Sequence, residues 1–353
     1  LALVQHNNLP LYDRLASEGI SVLQAEQCDA SLPVLKIGFF NMMPDAALTA
    51  TERQFFRLLG SHDNIHCAVY PFRCDELERS PHAQVYLQQH YQPLSEIKHA
   101  ELDALVVTGA NITQSKLDQE CFWDQLKTIL LWSKSHLKST LCSCLATHAA
   151  MQVYYDVQRR HMGDKCWGVF EHHLTLSDHA LLAGVEQSLF MIHSRYNDVS
   201  AQDFLTHGIQ PLVCSEQAGV QLAAEQDLSV VYFQGHPEYD DISLLKEYKR
   251  EIGRFINGEI KEYPRFPENY FSLKSQAVLE EYQSHLLTSL EKSKTPPDFP
   301  EKWIIPLLDN TWHDTAEAVI NNWIGKVYQI TDTDRHKPFN QNTDPNNPLN
   351  IIK

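Results

Sequence analysis

Short apolar runs, each closed by a turn signal, constrain the fold of this chain more than any other feature. Val34–Asn41 (VLKIGFFN) is broken by Met42-Met43-Pro44, Asp103–Thr108 (DALVVT) is closed by Gly109, and Leu228–Gln234 runs into Gly235. Asn64–Phe72, Ser188–His193 and Pro211–Cys214 are further strand candidates, and a brief strand ends near Cys142. Stretches of helical spacing lie between these runs. Thr49–Gly60 puts Phe55, Phe56, Leu58 and Leu59 on one side. Phe122–His136 does the same with Trp123, Leu126, Ile129, Leu130 and Trp132. Ala146–Tyr155 and Ile242–Asn257 complete the set. Strands alternating with helices predict an α/β fold, a mainly parallel sheet flanked by helices. In such folds the active site lies beyond the carboxyl ends of the strands.

After Phe271 the pattern changes. Ser275–Lys292 reads as an amphipathic helix, KTPPDFP breaks it, and Thr311–Tyr328 reads as another. The Asn-, Asp- and Pro-rich tail from Thr331 to Lys353 is expected to be flexible. The formal charge of −16 argues against nucleic-acid or anionic-membrane partners, which require basic surface. No apolar run approaches the roughly 20 residues that span a bilayer, and LALVQHNNLPLYDRL lacks the pattern of a signal peptide. Eight scattered cysteines imply reduced thiols and a cytoplasmic setting.

The stretch STLCSCLATHAAMQ (139–152) admits three readings: a metal-binding pair, two buried thiols, or one nucleophile with a bystander. Cys144 falls between a strand and a helix, where a sharp turn exposes a side chain and the free N–H groups of the helix favour a thiolate. Cys142 still points into the strand environment. In VVYFQGHPEYD, His236 follows a strand end and Glu238 lies two residues on. That places a base for the cysteine and a carboxylate to orient the base. A metal set of Cys142, Cys144, His172 and His173 has no standard spacing, so no metal is expected. Val107–Thr113 (VTGANIT) is a weaker sign: a glycine closing a strand lets a ligand approach the backbone.

The ordered blocks LKIGFFNMMP, ERQFFRLL, DALVVTGA, WSKSHLKSTLCSC, KCWGVFEHH, HSRYNDV, GHPEYD, KEYKREI, PENYF and NNWIGKVYQIT run nearly end to end. In them the chain resembles the homoserine O-acyltransferase family, of the homoserine O-succinyltransferase type of bacterial methionine biosynthesis. The resemblance implies a class I glutamine-amidotransferase-like domain over 34–271 and an N-terminal arm over 1–33. It also implies a helical extension over 272–330, of which 272–308 is an insertion, packed on the core. Cys144 matches the acyl-accepting cysteine, and His236 and Glu238 match the catalytic pair. Lys165, Ser194, Arg195 and Arg250 match substrate-binding positions, and Thr113 the position that sorts acyl groups. Backbone N–H groups at Met43 and Leu145 would hold the oxyanion. The implied reaction is ping-pong. An acyl-CoA acylates Cys144, and His236 then deprotonates the hydroxyl of homoserine. Acyl-CoA is thus a co-substrate, no cofactor is permanently bound, and the partners are small molecules and a second copy in a homodimer.

The chain departs from that pattern near the acyl pocket. Leu145 and His148 stand where the family usually has Trp and Gln, and Asp45-Ala46-Ala47 replaces basic residues after the Met-Pro turn. Thr113 is neutral and smaller than a glutamate, which leaves succinyl slightly favoured over acetyl, while Asp45 is expected to oppose an anionic acyl group. Serine as acceptor, a glutamine amidotransferase or amidohydrolase, and a non-catalytic binding protein are the competing readings.

Overall fold

Along Val34–Met42, Leu35, Ile37 and Phe39 enter one hydrophobic core while Phe40 and Met42 enter another. The period of two puts apolar side chains on both faces of the strand, so helices must cover both. The computed structural model describes residues 3–28, 34–61 and 65–331, and the tail expected to be flexible lies outside the described residues from 332 onward.

The chain opens with strand β1 (Leu3–Gln5), helix α1 (Leu11–Ser17), β2 (Val22–Gln24), β3 (Val34–Met42), α2 (Leu48–Leu59) and β4 (His66–Arg73). It continues with α3 (Pro81–His90), β5 (Gln92–Pro93), β6 (Ala104–Ala110), α4 (Trp123–His136), β7 (Ser139–Ser143) and α5 (Leu145–Tyr155). Then follow β8 (Arg160–Leu174), β9 (Ser188–Asp198), α6 (Ala201–Thr206), β10 (Gln210–Ser215), β11 (Gly219–Ala224), β12 (Val230–Phe233) and α7 (Ser243–Ile256). The last helices are α8 (Leu273–Glu291), α9 (Glu301–Ile304) and α10 (His313–Thr331). One sheet takes the order β2-β1-β4-β3-β6-β7-β12-β11-β10-β8-β9, with β5 paired to β4.

From β2 to β12 every pairing is parallel, as the alternating pattern predicts. Beyond β12 the sheet continues antiparallel through β11, β10, β8 and β9. On one face lie α2, α7, α8 and α10, and on the other α4, α5 and α6. The helical extension is packed tightly: Trp323 is fully buried, and its indole N–H donates to Ser139 Oγ at the start of β7 (2.8 Å). Residues of the expected N-terminal arm extend the sheet through β1 and β2. No helix among the described residues is long and apolar enough to cross a membrane.

Candidate active site

β7 and β12 are parallel neighbours, with Cys142 opposite Tyr232 and Ser143 opposite Phe233. Their carboxyl ends therefore open at the same edge, one carrying Cys144 and the other leading to His236. Cys144 adopts φ 52 and ψ −110, outside the regions a non-glycine residue usually occupies. Its N–H donates to Phe233 O at 2.8 Å, which ties the elbow to the neighbouring strand. Thr147 Oγ1 donates to both Cys142 O and Phe233 O (2.9 and 2.7 Å), fixing the first turn of α5. The strain at Cys144 is thus held by its surroundings, and it leaves the side chain half-buried at the head of a helix. Cys142 is fully buried between β7 and the α4–α5 layer, and burial pushes its thiol far above the ordinary range.

His236 sits within side-chain hydrogen-bonding reach of Cys144, and its Nδ1 meets Glu238 Oε1 at 2.8 Å. Burial acts to lower the His236 pKa. The Cys144 sulfur and the Glu238 carboxylate outweigh it and hold the imidazole well above 6.5. A Cys–His–carboxylate relay with these contacts stabilises a thiolate–imidazolium pair. Gly235 precedes the base because nothing larger fits: an added Cβ would lie 2.1 Å from Gln221 Oε1 and 2.5 Å from Ile192 O. His236 N–H then donates to Ile192 O (3.0 Å), locking its backbone to β9.

Lys165 and Ser194, matched from the sequence to substrate positions, converge on Glu247 of α7. Lys165 Nζ and Ser194 Oγ reach Glu247 Oε2 at 2.9 and 2.7 Å, and Tyr239 OH donates to Oε1 at 2.8 Å. Burial would raise the Glu247 pKa, but the Lys165 charge and the hydrogen bonds reverse it, down to about 2. Tyr239 in turn stacks on His236, with ring centroids 4.2 Å apart. Glu247 therefore connects the predicted binding residues to His236, the candidate base, and sequence reasoning missed it. Its only signal was position: it shares the buried face of α7 with Leu244, Leu245, Tyr248 and Ile252.

The other matched arginines lie in different surroundings. Arg195 is 4% exposed, and its guanidinium donates to Asn197 O (2.7 Å), Asp198 Oδ1 (2.9 Å), His193 Nδ1 (3.3 Å) and Ala218 O. It braces β9 against the β10–β11 hairpin. Arg250 lies one turn beyond Glu247 on α7, is exposed, and has Glu251 Oε1 3.4 Å from its Nε.

Beside the elbow, a Cβ on Gly109 would stand 3.6 Å from Cys144 Cβ, 3.7 Å from Met43 Sδ and 3.9 Å from Leu145 N. This glycine near the carboxyl end of β6 thus leaves room for a carbonyl group beside the elbow. Leu145 N–H begins α5, as an oxyanion donor requires. Met43 N–H donates to Asn41 Oδ1 at 3.1 Å, so holding an oxyanion would mean exchanging that bond. Thr113 lies on an exposed loop, and its N–H and hydroxyl donate to Glu120 (2.7 and 3.1 Å).

One expectation about the departures needs correction. Asp45 is not a free negative charge: Arg79 Nη1 contacts its Oδ1 (3.1 Å) and Ser80 N–H donates to its Oδ2 (2.8 Å). His148, which stands where the family usually has Gln, is a structural residue here. It is fully buried, with a pKa pushed down to about 3 by burial and the Arg195 charge, and Nε2 meets Gln234 Oε1 at 3.0 Å. The bond fastens α5 to the end of β12. The metal set is not assembled either. His172 Nε2 meets His193 Nε2 (3.0 Å), and the one grouping with ligand spacing among the described residues is His313, Asp314 and Glu317, far along the chain in α10.

The family profile described as Homoserine O-succinyltransferase matches residues 2–333. Curated relatives named Homoserine O-succinyltransferase include one from Thioalkalivibrio nitratireducens, 48% identical over 353 residues and covering 99% of each chain. One from Methylococcus capsulatus is 48% identical over 354 residues, covering 99% of this chain and 100% of the other. Similar solved structures include a glutamine amidotransferase from Thermotoga maritima, with a TM-score of 0.47 and 10% identity over 83% of this chain and 97% of that one. A glutamine amido transferase from Methylobacillus flagellatus gives 0.47 and 13% over 84% and 95%.

Proposed function

The chain belongs to the homoserine O-succinyltransferase family, and from that premise we propose that it moves a succinyl group from succinyl-CoA to the hydroxyl of L-homoserine through an acyl-enzyme on Cys144. The observation that carries the reading is the strained Cys144 elbow facing a buried His236, itself held by Glu238. The Cys144 thiolate attacks the thioester carbonyl, and the oxyanion is met by Leu145 N–H and, once freed from Asn41, by Met43 N–H. Each such donor contributes about 10²–10³ in rate. The tetrahedral intermediate expels CoA, whose sulfur takes the imidazolium proton from His236. His236, now neutral, accepts the proton of the homoserine hydroxyl as its oxygen attacks the acyl-enzyme. Cys144 leaves as thiolate and the imidazolium is restored. General-base assistance of this kind contributes about 10²–10⁴.

Lys165, Ser194 and Arg250 take the amino-acid end of homoserine. Glu247 sets the placement of the first two, and Arg250 offers the acceptor's carboxylate a charged fork. Arg195 supports the site by holding β9. Acyl-CoA enters and leaves as a co-substrate, and the enzyme works as a cytoplasmic homodimer. No disulfide joins any of the eight cysteines, in keeping with a reducing compartment.

The test is release of free CoA from succinyl-CoA and acetyl-CoA, each offered with L-homoserine, L-serine or no acceptor. Rapid release with succinyl-CoA and homoserine is expected. No release with any pair, or ammonia release from glutamine in its place, would overturn the reading.

A further inference from the structure

The proposed base is covered on one face by an aromatic ring. Tyr239 stacks on His236 with ring centroids 4.2 Å apart and planes inclined by 18°. That is closer than the roughly 4.5–7 Å at which neutral aromatic pairs sit, because two neutral rings lying nearly parallel repel through their like faces. An imidazolium removes that repulsion. Its positive charge is drawn to the negative face of the phenol ring, most strongly where water is excluded. His236 is buried, so the contact lies in such a place.

The ring is held in position from both ends. Its hydroxyl donates to Glu247 Oε1 (2.8 Å), and Lys165 and Ser194 fix Glu247 in turn. The backbone N–H of Tyr239 donates to His236 O (3.3 Å), and its carbonyl accepts from the indole N–H of the buried Trp312 (2.9 Å). The other titratable groups around His236 are Cys144 from the β7–α5 elbow, Glu238 on its own segment and His193 from β9. Burial and the Arg195 charge hold the His193 pKa well below 6.5, so it brings no competing charge. Glu238 meets the imidazole at Nδ1, and Tyr239 covers its face.

We propose that Tyr239 is a positioning residue that stabilises the His236 imidazolium through its ring face and holds the imidazole plane toward Cys144. The inference rests on the Cys144–His236 pair of the reading above and adds a group to it. In that reaction the imidazolium persists until it protonates the departing CoA sulfur, and neutral His236 then takes the proton of the acceptor hydroxyl. A ring stacked on the cation keeps that proton from solvent in the first step and favours its return in the second.

The experiment titrates His236 by NMR of histidine-labelled protein, its signals assigned by their loss in His236→Gln. Wild type is compared with Y239F, with Y239F carrying graded ring fluorination, and with Y239L. Fluorine withdraws the negative face of the ring at nearly constant size, so packing alone does not respond to the series. The acid constant of the imidazolium should stay within about twofold of wild type in Y239F and rise with each step of fluorination. It should reach about 3- to 30-fold in the most fluorinated ring and in Y239L. The alkaline limb of CoA release from succinyl-CoA alone should move to lower pH in the same order. An acid constant that is flat across the fluorinated series overturns the proposal and leaves the ring as packing. A change in Y239F as large as in Y239L overturns it too, because the hydroxyl and not the ring face would then carry the effect. If Y239L does not fold, the fluorinated series decides. A wild-type His236 that is neutral at pH 7 rejects the ion pair and this inference together. A graded series in a protein that releases no CoA supports this inference and rejects the succinyl-CoA reading alone.

Discussion

Glu247 shows what a single side chain does in this site. Its carboxylate gathers Lys165, Ser194 and Tyr239, and Tyr239 stacks on His236, the proposed base. A carboxylate depressed from 4.5 to about 2 on folding stabilises the native state fully above pH 4.5, and that contribution is lost as pH falls toward 2. Glu247→Gln should therefore lower stability near neutral pH by about 3 kcal/mol and flatten the fall between pH 4.5 and 2. Thermal melts across that range check this, and an acid limb as steep as that of wild type would refute it. Cys144, His236 and Glu238 were legible because each is announced by its place after a strand. Glu247 was not, because its partners reach it only once α7 docks against β8 and β9. Asp45 was misjudged for the same reason: Arg79, the partner that neutralises it, comes from a distant loop.

At the scale of elements, the segment that carries His236 is clamped to α2. Arg53 and Gln54, with Arg57 one turn further along that helix, converge on Asp240, four residues beyond His236. Asp240→Asn should leave two arginines short of their counter-charge and cost about 3 kcal/mol, with a matching loss in the rate of Cys144 acylation as His236 loosens. Urea denaturation reads the first effect, and a midpoint equal to that of wild type would contradict it. The helices α2, α4, α5 and α7 were readable within a residue or two from apolar spacing. β8 was not. Its first residues are polar and exposed and its register with β9 shifts between His161 and Cys166, so neither alternation nor an apolar run marks it. β11, six residues long, hides in a hairpin with β10 whose register also shifts.

Over the whole molecule, the parallel half of the sheet follows from the order of apolar runs and helices along the chain. The antiparallel half, and the pairing of β1 with β4, depend on contacts between distant segments that no local pattern encodes. The same holds for α10, recognisable as a helix from its spacing but not as the element that buries Trp323 against the root of β7. What the assembled fold achieves is convergence. Two adjacent parallel strands bring Cys144 and His236 to one edge, and the antiparallel strands add Lys165 and Ser194 beside them. The most direct test of that convergence is the intact mass of the protein after incubation with succinyl-CoA alone, with the adduct located by peptide mapping. One succinyl group should appear as a thioester on Cys144, persist in Cys142→Ala, be absent in Cys144→Ala, and be discharged as O-succinylhomoserine when L-homoserine is added. An adduct on another residue, or homoserine acylation by Cys144→Ala at the wild-type rate, would contradict the account.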